Sequence, residues 1–248
     1  MEQRILVVKK TLSLVCFYLV SFSAFSQENV VALDKQSYVS ISVGSSIPLQ
    51  DFKSTYAKNI NAGFAKSGKK YDIFWAKNLK KSQWSVTGLF RFHSNPIDNE
   101  GLELVAKNTS PANDFTISAN DWKLYTLMGG AYYRIKSSKR FTLMPKAMLG
   151  VAYIYSPDVR IVANGAQGKV EFSSSKSSYT LTPSYLFSIG LKRNLYKNII
   201  LMSNFDFLGA FPTFSDMKTT YANGTSINRT ITPSFLTFNY GFAMGYEF

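Results

Sequence analysis

The sequence predicts an all-β protein: an eight-stranded antiparallel up-and-down transmembrane β-barrel with short periplasmic turns at one rim and long extracellular loops at the other. Three observations carry that expectation. From Ser37 onward, apolar and polar residues alternate in segments of roughly ten residues, the period of a strand. Large apolar side chains gather on one face of each segment while small, polar and charged ones take the other. That polarity requires lipid outside the sheet, because a soluble sandwich needs the reverse. The connections alternate strictly between short and long, as they do when one rim carries turns and the other carries loops.

The segments run over 38–47, 68–77, 83–93, 122–136, 140–155, 178–192, 198–211 and 235–248. The last is the clearest: Leu236, Phe238, Tyr240, Phe242, Met244, Tyr246 and Phe248 share one face, opposite Thr237, Asn239, Gly241, Ala243, Gly245 and Glu247. In the seventh, Ile199, Leu201, Phe205 and Phe207 oppose Asn204 and Asp206; in the sixth, Tyr179, Leu181, Tyr185, Phe187, Ile189 and Leu191 oppose Thr180, Thr182, Ser184, Ser188 and Lys192. The first five follow the same rule less sharply towards the N-terminus. The connections 77–83, 136–140 and 192–198 are tight, whereas 47–68, 93–122, 155–178 and 211–231 are long, which puts both ends of the barrel at the turn rim. A soluble eight-stranded barrel of lipocalin type has the same strand count, but its outer face should be polar.

Residues 1–26 read as a secretory signal peptide, leaving 27–248 as the barrel domain. Arg4, Lys9 and Lys10 form a positive start, Thr11 to Phe25 an apolar run, and Ala24-Phe25-Ser26 a cleavage site; an uncleaved anchor is the alternative. Cys16, the one cysteine, lies in that run, behind Val15 where lipidation wants a small residue. Aromatic residues make up 15% of the chain and charged residues 17%, a balance suited to apolar residues spread along alternating strands. The formal net charge is +13; removing residues 1–26, with Glu2, Arg4, Lys9 and Lys10, leaves +11. For an exported chain this charge points to anionic lipid and lipopolysaccharide phosphates before nucleic acid, which is not expected as a partner.

An exported barrel with alternating connections and an aromatic final strand ending Tyr246-Glu247-Phe248 resembles the small outer-membrane β-barrel family of the OmpA/OmpX type, across essentially the whole mature chain. The resemblance implies a cell outer membrane location in a Gram-negative bacterium. It also implies that Phe248, Tyr246 and Tyr240 serve recognition by the barrel-assembly machinery, and that no periplasmic peptidoglycan-binding domain follows.

Chemistry is sparse. One histidine and no cysteine beyond Cys16 argue against zinc and copper sites on composition, and Asp98 with Glu100 falls short of a calcium loop. No phosphate loop or nucleophile elbow occurs, so no catalytic, cofactor-binding or metal residue is assigned and no cofactor is expected. Outer-membrane lipid A deacylases use a His and a Ser near a strand end, which draws attention to Phe92-His93-Ser94-Asn95. Adjacent residues on a strand point to opposite faces, however, so His93 cannot serve Ser94 without a bend. Arg91, His93, Lys146, Lys192, Asp206 and Glu247, together with Asp72, fall on the lumen face, where opposite charges should pair and fill so narrow a barrel; a narrow selective channel is the alternative. Lys53, Lys58, Lys66, Lys69 and Lys70 read as first-loop residues that meet lipid A phosphates or water. The short turns carry Lys77, Lys80, Lys81, Lys136, Lys139, Arg140, Lys192, Arg193 and Lys197, beside anionic inner-leaflet lipid or simply solvated. Asn108-Thr109-Ser110, Asn223-Gly224-Thr225 and Asn228-Arg229-Thr230 match a eukaryotic glycosylation pattern by accident. The expected role is a non-enzymatic structural or interacting barrel, accessory to an envelope complex; the alternatives are a lipid A-modifying enzyme and a channel.

Overall fold

A computed structural model describes residues 37–248 apart from 57, 81, 110–113, 138–140, 166–167, 197 and 222–223. The signal segment with Cys16, and the turn residues Lys81, Lys139, Arg140 and Lys197, lie outside the described residues.

Eight strands close into a barrel: β1 (Ser37–Leu49), β2 (Gly68–Asn78), β3 (Trp84–Asn95), β5 (Trp122–Tyr133), β7 (Phe141–Tyr155), β10 (Tyr179–Tyr196), β11 (Ile199–Ala210) and β14 (Phe235–Glu247). Each pairs antiparallel with its neighbours, and β7 pairs with β10 and β14 with β1, so the wall has no free edge. All eight expected segments are present. The fourth stops earlier than expected, at Tyr133, and resumes as the two-residue β6 (Ile135–Lys136); the sixth runs past Lys192 to Tyr196, with an irregular register between Asn194 and Tyr196. Ser37 and Phe248 exchange backbone hydrogen bonds (3.0 and 2.8 Å), tying the two ends together at the turn rim.

Burial follows the two-residue period. On β2 the exposed Tyr71, Ile73 and Trp75 alternate with buried Lys70, Asp72, Phe74 and Ala76. The outward wall is apolar, with Leu149 at 71%, Phe242 at 65% and Leu127 at 63% exposure. In water so extended an apolar surface would drive association; in a bilayer it is the solvent-matched face.

The long loops are more ordered than their sequence suggests. A second antiparallel sheet stands beyond the loop rim: β4 (Asp114–Ala119), β8 (Val159–Gly165), β9 (Gly168–Ser175), β12 (Phe214–Tyr221) and β13 (Ser226–Ile231), in the order β13-β12-β9-β8-β4. The first loop turns back through the short α1 (Gln50–Lys53), with Gln50 (φ 50°) and Phe64 (φ 49°) in the left-handed region. Helix α2 (Asn99–Thr109) packs on the second sheet, Ala106 meeting Phe115 and Ala163. Asp98 caps this helix, its Oδ1 accepting from the Gly101 N–H at 3.2 Å, and Glu103 and Lys107 pair one turn apart at 2.7 Å.

Candidate functional site

The lumen is filled with buried side chains from the loop rim to the turn rim. At the loop rim α1 drops Phe52 into the mouth, where its ring centroid lies 3.9 Å from that of Phe235 and 5.6 Å from that of Trp122. Trp122 donates its indole N–H to the Gly63 carbonyl at 2.8 Å and packs on Phe214. Gly63 is required there, because a Cβ would stand 2.5 Å from the Phe52 carbonyl oxygen.

Below the plug, Arg91 on β3 binds Asp72 with two donors (2.7 and 3.0 Å) and Asp206 with two hydrogen bonds more (2.6 and 2.9 Å). Lys70 bridges the same carboxylates at 3.2 and 3.1 Å, and Asn239 donates to Asp206 at 2.8 Å. The lysine fits because β1 and β14 face each other through Gly44 and Gly241, and its Cε occupies the space where a Cβ on either would fall, 2.9 Å away. Lys146 sits one layer further in, donating to Asn204 at 2.6 Å and lying 4.6 Å above the Phe74 ring. A cavity of about 20 Å³ remains beside it, room for about one water. Near the turn rim Lys192 pairs with Glu247 and stands over the Tyr38 ring at 5.7 Å.

Arg91, Lys146, Lys192, Asp72, Asp206 and Glu247 thus face inward as their period requires, and all but Lys146 pair directly with an opposite charge. For Lys70 the structure corrects the sequence reading. It is not a first-loop residue: it is fully buried and completes the ion cluster, being one step of the period from Asp72. Lys69, its neighbour, points out of the wall. Lys66 does belong to the loop, pairing with Asp98 at 3.0 Å and Glu100 at 3.6 Å.

His93 lies inside, fully buried, and among the described residues neither of its ring nitrogens has a hydrogen-bond partner. Ser94 donates to Asp121 at 2.5 Å. The two side chains take opposite sides of the wall and do not form a nucleophile–base pair. Among the described residues no group of three His, Cys, Asp or Glu is placed to hold a metal ion.

Beyond the membrane, Asp98 joins the first loop to α2. Burial pushes its carboxyl pKa up, but the hydrogen bonds from Lys66 and the Gly101 N–H outweigh this and hold it below the ordinary carboxylate value. A depressed folded pKa gives stability that is present above the ordinary value of about 3.9 and lost as pH falls through the folded one. Amide protection of α2, corrected for intrinsic exchange, should fall on acidification through that range, and Asp98→Asn should remove most of that pH dependence.

No family model matches the chain, and no curated protein matches it in sequence. Solved structures do match. A major outer membrane protein from Thermus thermophilus superposes with a TM-score of 0.50 at 11% identity, over 86% of this chain and 99% of that one. The chain folds as a small outer-membrane β-barrel. Ail, the attachment invasion locus protein of Yersinia pestis, also matches, with a TM-score of 0.45 at 14% identity, over 87% of this chain and 100% of that one. The apolar wall and the pattern of turns and loops orient this barrel in the outer membrane with its short connections, and both strand termini, on the periplasmic side.

Proposed function

We propose that the protein is a non-conducting, non-enzymatic outer-membrane barrel that displays a β-sheet outside the cell, with a structural or interacting role exercised through that sheet. The observation that carries this reading is the filled lumen beneath an ordered extracellular sheet: an aromatic plug, a four-residue ion cluster and the Lys192–Glu247 pair occupy successive levels of an interior only side chains wide. Loops in such scaffolds carry function, and here three of the four extracellular connections are built into one surface. Residues 1–26 are proposed as the export signal, the terminal strand ending at Phe248 as the segment engaged by the assembly machinery, lipopolysaccharide as the surrounding outer-leaflet partner, and a further envelope protein as the partner of the sheet. The enzyme reading is weakened by the opposite orientation of His93 and Ser94.

Conductance tests the reading against a channel. In planar bilayers the refolded protein should give no discrete current steps. Regular steps, abolished by boiling the sample, would make the lumen a pathway and overturn it.

A further inference from the structure

We infer that the outer wall carries a binding site for the phosphate of an outer-leaflet glycolipid, formed by Lys69 and Lys123 on either side of β3. The inference rests on the outer-membrane reading and deepens its lipid partner into a site. Its first observation is a charge asymmetry. Among the described outward-facing residues of the eight barrel strands, the charged ones are Lys77 and Arg193 at the turn rim and Lys69 and Lys123 at the loop rim. The loop-rim pair is confined to one sector. At that rim β1 and β14 present Ile47, Leu49, Leu236 and Phe238 instead.

The second observation is register. Lys69 pairs with Ser94, and Ser94 with Lys123, so the lysines share one row two strand spacings apart, about 10 Å between backbones. Extended lysine side chains reach inward from both sides of such a gap to one tetrahedral anion held between their ammonium groups. Asp121, held by Ser94, is the acid beside them, leaving the sector with a net positive charge. The same row continues through Tyr155 and Tyr179.

The third observation is what lies beneath. One step of the period towards the membrane centre the row becomes Tyr71, Phe92 and Tyr125, with ring centroids 6.2 Å apart between Tyr71 and Phe92 and 5.0 Å apart between Phe92 and Tyr125, followed by Ile73, Phe90 and Leu127. Aromatic girdles mark the headgroup level of such barrels. A ligand that fits has a phosphate at the height of the lysines, a ring to lie against the aromatic shelf, and acyl chains along the apolar wall below. At the extracellular rim of an outer membrane that description is met by a phosphorylated, acylated glucosamine lipid.

Native mass spectrometry of the full mature protein in neutral detergent, titrated with bisphosphoryl lipid A, tests the site. Each lysine near an anionic group contributes roughly a fivefold factor, so Lys69→Ala/Lys123→Ala should weaken binding by roughly 30-fold. The rim control Lys77→Ala/Arg193→Ala should bind as the unaltered protein does, and Lys69→Arg/Lys123→Arg should retain binding. The inference is overturned if the double alanine variant binds within about twofold of the parent, or if dephosphorylated lipid A or phosphatidylglycerol binds as tightly as the bisphosphoryl form. Because bilayer currents do not depend on these lysines, failure here is separable from failure of the proposed function.

Discussion

Arg91→Met should cost the barrel roughly 3–5 kcal/mol, the scale of removing one partner from a buried ion pair. Arg91 supplies four of the hydrogen bonds to Asp72 and Asp206, and without it Lys70 alone faces two carboxylates in an enclosed interior. The loss should appear as a lower urea midpoint for the unboiled, fast-migrating form in lipid vesicles. A second variant separates charge from packing. Replacing the whole cluster, Lys70→Met, Asp72→Leu, Arg91→Met and Asp206→Leu, should recover much of the loss, because a buried ion network exchanged for apolar side chains of similar volume is often neutral. If Arg91→Met alone leaves the midpoint unchanged, the cluster does not hold the strands together.

Leu149→Arg should destabilise the folded protein by roughly 2–4 kcal/mol, the cost of a guanidinium on the lipid face near the bilayer midplane. Leu149 is near the middle of β7 and 71% exposed, so in a water-soluble protein the same change would stay within roughly 0.5 kcal/mol. The experiment compares urea unfolding in vesicles for Leu149→Arg and for an external substitution such as Lys218→Ala on β12, which should be near neutral. The difference between the two measures the environment of the wall directly.

The barrel is legible in the sequence because lipid and lumen impose opposite demands on alternate residues. Phe235 to Glu247 reads unambiguously, and parity alone places Arg91, Lys146, Asp206 and Glu247 inside. Parity applies equally to Lys70, two residues before Asp72, but its place at a strand end next to a lysine-rich loop obscures it. The pairings are not legible, since parity gives the face and not the height: Lys70 meets Asp206 from 136 residues away. The extracellular sheet is harder to read although its signals are present. Asn164-Gly165 is a hairpin dipeptide at the end of β8, paired with Lys169 and Gly168 of β9, and Gly224, with φ 79°, lies between β12 and β13 in a second such dipeptide, Asn223-Gly224; the second also matches the glycosylation pattern, which hides the turn signal. Helix α2 likewise shows an acidic cap at Asp98 and apolar residues at Leu102, Val105 and Ala106, a helical spacing inside a stretch that a search for period two passes over. Phe52 gives no signal, because an aromatic residue in a loop does not announce that the loop folds back into the barrel.

The most direct test of the central claim is accessibility in intact cells. With Cys16 replaced, single cysteines at Lys176, beside the extracellular sheet, and at Lys80, in a short turn, are exposed to a membrane-impermeant maleimide. Labelling of Lys176→Cys in whole cells, and of Lys80→Cys only after the outer membrane is opened, is the predicted result; labelling of Lys80→Cys in intact cells, or of neither position even in opened ones, would contradict a barrel that spans the outer membrane with its second sheet outside.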